Sequence, residues 1–200
     1  MKRNPLRLLQ YNSPVILTFA LFSMIVLWLG NMTDGRSNEL LFMVYRTSFT
    51  DPLAYIRVFT HAVGHANLDH FLNNFLMILL VGPMLEEKYG SKALMLMITI
   101  TAFVTGVVHL MTSQAAMLGA SGIVFMLILL SSFTNIQKGR IPLTLILALA
   151  MFIGREIMAS VTTDTNIAHL AHIIGGVCGA SFGFLLNKSF YEGEPHDSRV

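Results

Sequence analysis

The sequence is short of charge and of cysteine. Asp, Glu, Lys and Arg make up 12% of its 200 residues, about half of the roughly 25% usual in a soluble domain. Too few polar residues remain to cover a water-facing surface, which argues against a soluble core and for one facing lipid. The single cysteine, Cys178, lies in an apolar run. It excludes a disulfide framework and reads as a small packing residue. The net charge of +2 is small and scattered, so nucleic acid is not a partner. Internal repeats, low-complexity tracts and a His-Glu-x-x-His zinc motif are all missing.

What the chain does have is apolar length. A helix crossing the hydrocarbon needs about 20 mainly apolar residues. No Asp, Glu, Lys or Arg occurs from Leu8 to Thr33, from His70 to Leu85, or from Ala93 to Gln137. The last stretch is long enough for two spans, broken by the polar and small residues of Thr112 to Gly122. Ile141 to Val161 makes a further span, with Arg155 and Glu156 near its end, and Thr165 to Asn187 closes the series. The expected fold is an all-α, six-span membrane bundle over residues 1–188, with spans at about 13–33, 69–86, 92–112, 121–136, 141–161 and 166–187. A short polar cytoplasmic tail, 189–200, follows.

Basic residues set the orientation. With the N-terminus inside, the inner segments hold Lys2, Arg3, Arg7, Lys88, Lys92, Lys138, Arg140, Lys188 and Arg199, and the outer ones only Arg36, Arg46, Arg57 and Arg155. Nine against four fits the positive-inside rule and puts both termini in the cytoplasm. No small-x-small site follows the first span, which therefore reads as an uncleaved anchor. The one long connection, about Thr33 to Asp69, mixes Leu40, Leu41, Phe42, Val44 and Tyr45 with a few charges. That pattern suits short amphipathic pieces at the interface, or equally a folded cap without chemistry.

Polar residues inside a membrane are costly and raise a functional question. Four come from distant parts of the chain: His70, Asn74, Ser121 and His172. In the inferred orientation the second, fourth and sixth spans all run from outside to inside. His70 and Asn74 lie in the first turns of one, Ser121 starts the next, and His172 lies about 9 Å below the start of the last. All four fall at similar depth in the outer half of the membrane.

Their local patterns agree. His70 and Asn74 are spaced i,i+4 and share a helix face. Gly119, Ser121 and Gly122 form Gly-x-Ser-Gly at the head of a helix, where unpaired N–H groups can face a developing negative charge. Gly175, Gly179 and Gly183, with Gly176, make a small-residue stripe, and His172 sits in its middle by the helical count. His169 lies off that centre and nearer the surface. Together the set offers a hydroxyl nucleophile, an imidazole base and oxyanion donors. No carboxylate is placed to orient His172, Asp164 being eight residues away, so the arrangement reads as a Ser–His dyad.

With these residues in place, the chain resembles the rhomboid intramembrane proteases in their six-helix bacterial form. The likeness runs from Arg57-Val-Phe-Thr-His-Ala through His65-x4-His70-x3-Asn74 and Gly119-Ala-Ser121-Gly122 to Ala171-His172-x-x-Gly175-x3-Gly179. It implies that Ser121 is the nucleophile and His172 the general base, with His70, Asn74 and the Ser121 N–H as the oxyanion hole. It also implies an aromatic ring, Phe125, against the histidine, and a structural role for Glu86. Single-span membrane proteins, cut near the outer face, would be the substrates. The bilayer of a bacterial plasma membrane would be the setting, with no metal or other cofactor. One departure is visible: many members have Trp-Arg where this chain has Ile56-Arg57, its only tryptophan being Trp28. That leaves open how the first loop is anchored. No catalytic position is substituted, which argues against an inactive member.

Three other readings stand beside this one. His61 and His65, spaced i,i+4 and near His70, could form a metal site. A helix-binding protein without chemistry would use the same grooves but be indifferent to Ser121→Ala. A small transporter is disfavoured, because two similar halves with Gly/Pro-broken spans are missing.

Overall fold

The computed structural model describes residues 10–48, 50–133 and 166–191, with positions 143, 146, 147, 150, 151 and 154 between them. The side chains of 166–169, His169 among them, and of 187–191 lie outside that description, as do Arg155, Glu156, Asp164, most of the expected fifth span and residues 192–200 of the tail.

The described elements are helical: α1 (Pro14–Met32), a π-helical turn (Asn38–Phe42), α2 (Pro52–Thr60), α3 (Leu68–Tyr89), α4 (Ser91–Thr112), α5 (Ser121–Phe133) and α6 (Asn166–Tyr191). Among the described residues, α1, α3 and α4 are each long and apolar enough to cross a membrane. Their outward faces show why lipid must be the solvent. Leu72, Leu76 and Leu80, one turn apart on α3, are exposed, as are Phe22, Ile25 and Trp28 on α1. Polar side chains go inward instead: Ser23, Thr101, Thr105 and His109 are buried.

The short helix α5 is the centre. Gly122 to Leu127, Leu129, Leu130 and Ser132 are buried in it, so α5 meets protein on nearly every side. It packs along α6 and also touches α3 and α4. Ile16 of α1, Phe75, Ile78 and Leu85 of α3 and Leu94 of α4 complete the apolar interior.

The start of α1 is held by Glu86. Ser13, ahead of α1, makes no side-chain cap, and the carboxyl group of Glu86 takes its place from the far end of α3. It accepts from Val15 N–H at 2.9 Å and Ile16 N–H at 3.0 Å, and from the Ser91 hydroxyl at 2.7 Å. These are the orphan donors of a helix start, satisfied across 70 residues of chain. Glu86→Ala leaves two buried N–H groups without an acceptor, at about 1–3 kcal/mol each. Thermal unfolding in detergent is therefore expected to fall clearly for Glu86→Ala and less for Glu86→Gln, which keeps one oxygen. An unchanged transition for both would remove this role.

The first loop is anchored without the tryptophan. Arg57 is buried and ion-paired with Asp51. It also donates to the Tyr45 hydroxyl at 3.1 Å and lies 4.4 Å from that ring's centre. Burial alone would raise the Asp51 pKa, but hydrogen bonds from Leu53 N–H, Arg57 and Thr47 prevail and hold it below its ordinary value. Arg46 donates to the Leu110 and Met111 carbonyls at the end of α4, at 3.0 Å, a cation where the helix dipole favours one. Val44 and Met117 exchange two backbone bonds of 2.9 Å, tying the loop to the segment that leads into α5.

Candidate active site

The serine turn begins where that tie ends. Gly119 has φ of +128°, a conformation that side-chain-bearing residues avoid. Its N–H donates to the His61 carbonyl at 2.9 Å. A methyl group at Gly119 would lie 2.7 Å from two atoms of the His70 ring and 3.8 Å from the Asn74 amide nitrogen. Glycine is thus required twice, for the backbone angle and for the approach of His70. Two residues on, Ser121 opens α5 and is partly exposed. The first bond of the helix runs from Val124 N–H to the Ala120 carbonyl, 3.0 Å. The N–H groups ahead of it have no acceptor within the helix.

His172 reaches the same level from the other side. It is buried on α6, and its ring centre lies 4.4 Å from that of Phe125, one turn beyond Ser121. A methyl at Gly122 would meet the Ala171 carbonyl oxygen and the Thr105 hydroxyl at 3.2 Å each. One turn below His172, a methyl at Gly175 would lie only 2.0 Å from the Gly122 carbonyl oxygen. The small-residue stripe of α6 therefore faces α5, and these contacts bring the His172 turn of α6 against the start of α5, whose leading Gly119 is approached by His70 and Asn74.

His70 and Asn74 rest on the start of α3. The Asn67 side chain caps that helix by accepting from His70 N–H at 2.8 Å. Asn74 donates from its amide to the His65 ring at 3.2 Å and to the His70 carbonyl at 3.1 Å. His65 lies outside the spanning helices, where burial, with the neighbouring His70, pushes its pKa down to about 4.

The histidine spacing that suggested zinc does not survive folding as a shared face. α2 ends at Thr60 and the chain turns at His61 to Val63, so i,i+4 no longer means one helix side. His61 donates to the Ala102 carbonyl at 3.0 Å, while His65 points to Asn74. Among the described residues, no three of His, Cys, Asp and Glu gather as metal ligands. Sequence reasoning gave His65 a place only in the metal reading and the family motif, not beside Asn74, and it passed over Thr105; a threonine in an apolar helix carries no signal of what it will face.

Comparisons with known proteins agree on one family. The Rhomboid domain model matches residues 52–189. Rhomboid-like protein 11, chloroplastic, of Arabidopsis thaliana is 24% identical over 150 residues, 68% of this chain but only 54% of that protein's length. Rhomboid protease GlpG of Haemophilus influenzae is 22% identical over 163 residues, covering 77% of this chain and 82% of that protein.

Proposed function

The chain belongs to the rhomboid family, and we propose that within it this protein is an intramembrane serine endopeptidase working through a Ser121–His172 dyad. The observation that supports the reading is that two sets of groups approach the serine turn and the helix it opens. His70 and Asn74 lie against Gly119, and His172 packs on Phe125 beyond Ser121.

His172 removes the proton from the Ser121 hydroxyl as its oxygen attacks the scissile carbonyl. The tetrahedral oxyanion forms beside Gly119 and is met by the Ser121 N–H, His70 and Asn74. The imidazolium then gives its proton to the leaving amine, which departs with the breaking C–N bond. A water molecule, deprotonated by His172, attacks the acyl-enzyme ester and releases the acid and the serine. Phe125 holds the ring on the serine side. Because the dyad falls near the start of α5, the cut lies toward the outer face. The substrates are single-span membrane proteins whose helices end there in small residues. Six spans, both termini in the cytoplasm and a bacterial plasma membrane complete the proposal, with residues 1–188 as its membrane domain.

The test is purified protein in detergent, mixed with a single-span reporter bearing small residues at its outer end, with and without a chelator. A fluorophosphonate probe is applied in parallel. The expected result is one cut near the outer end, unaffected by the chelator, and a probe adduct mapped to Ser121. Cleavage that stops with the chelator, or an adduct elsewhere, would sink the serine mechanism. A folded protein that binds a panel of such reporters and cuts none would favour the helix-binding reading.

A further inference from the structure

His65 takes no part in the chemistry above, yet it is fully buried and both ring nitrogens are engaged. Nδ1 faces the Val63 carbonyl oxygen at 3.2 Å. A carbonyl only accepts, so Nδ1 carries the proton, and in a neutral ring Nε2 is left with a bare lone pair. That lone pair faces the Asn74 amide nitrogen at 3.2 Å. Were the amide turned over, its oxygen would meet the lone pair instead. The second N–H of the amide goes to the His70 carbonyl at 3.1 Å. Two acceptors thus define both the plane of the amide and which end is which, and they keep its nitrogen 3.8 Å from the Gly119 Cβ position. The His65 ring is itself clamped, with the His70, Phe71 and Phe75 rings centred 5.1, 5.5 and 5.5 Å away.

We infer that His65 is a positioning residue: the Val63 carbonyl fixes its tautomer, and its bare ring nitrogen fixes which end of the Asn74 amide is the donor, with the nitrogen held beside Gly119. An oxyanion beside Gly119 shares one of the amide N–H groups without the amide having to turn. The inference rests on the oxyanion role proposed for Asn74, and the experiment separates the two.

The experiment measures kcat and KM for reporter cleavage by His65→Leu, His65→Gln, Asn74→Ala and the double variant His65→Leu/Asn74→Ala, with thermal unfolding of each in detergent. Asn74→Ala is expected to lower kcat by about 10²–10³-fold. His65→Leu, which frees the amide to turn, is expected to lower it by about 10–10²-fold with KM little changed. His65→Gln offers an amide oxygen near the place of Nε2 and recovers most of that loss. The double variant is no slower than Asn74→Ala, because His65 acts only through Asn74. Full activity in Asn74→Ala would remove the role of Asn74 and this inference with it. A slow Asn74→Ala beside a fully active His65→Leu would overturn the role of His65 alone. So would losses that multiply in the double variant, or a His65→Gln as slow as His65→Leu.

Discussion

Ser121→Ala and His172→Ala are each expected to lower reporter cleavage by about 10⁴–10⁶-fold, with the double variant losing little beyond either alone. The reason is that in the proposed dyad nucleophile and base act as one unit. Without the imidazole the serine hydroxyl holds its proton, and without the hydroxyl the imidazole has nothing to activate. Each single change therefore removes nearly the whole effect, whereas losing one oxyanion donor costs only about 2.7–4 kcal/mol of barrier. The two variants should differ in stability. Ser121 is partly exposed at a helix start, so removing its oxygen leaves packing intact. His172 is buried against Phe125, so truncating it opens a hole as well. Turnover numbers and thermal unfolding, taken together on all three variants, separate the chemistry from the packing. A His172→Ala protein within tenfold of wild type would mean that another group is the base.

Gly175→Ala is expected to be nearly as damaging, although it touches no reacting atom. Its added methyl would lie 2.0 Å from the Gly122 carbonyl oxygen and 2.8 Å from the Gly122 Cα, where ordinary contact begins at 3.4 Å. The obstacle is backbone and cannot rotate away, so α5 and α6 must part by more than an ångström. Gly122 follows Ser121 directly and Gly175 lies one turn from His172, so the parting would open the proposed dyad itself. A misplacement of about 1 Å can cost about 10²-fold in rate, and overpacking of this kind about 1–3 kcal/mol or more in stability. Gly179→Ala meets the Met126 carbonyl oxygen at 2.3 Å and should damage stability comparably but sits a turn further from the dyad. Gly183→Ala meets the Phe133 side chain, Cγ at 2.4 Å and Cβ at 2.7 Å; the ring can turn aside more easily than a carbonyl, and the site lies furthest from the proposed dyad. Activity should therefore rise from position 175 to 183. A flat series would show that the helices have room to spare.

The helices that the sequence made legible are those whose signal lies along the chain. A charge-free run of about 20 residues can be recognised without knowing its neighbours, because the bilayer fixes the length and lipid fixes the composition. The same holds for the serine at a glycine-flanked helix start and for the stripe that places His172 on a packed face. What covers that stripe was not legible: only the folded chain sets Gly175 on Gly122 and Gly179 on Met126. Glu86 shows the same division. Its sequence marks the end of an apolar run, while its bonds to Val15 and Ile16 belong to a helix start 70 residues away.

The histidines of the first loop mark the boundary most sharply. By spacing alone His61 and His65 are one helix turn apart and suit a metal. The turn after Thr60 sends one ring to the Ala102 carbonyl and the other to Asn74. Local periodicity determined the membrane-facing helices and marked the candidate site residues, because burial in lipid and helix geometry act on neighbours in sequence. Tertiary structure alone decided which nitrogen meets which acceptor, because a hydrogen bond between distant segments depends on where two backbones are brought, and no pattern within either segment records that.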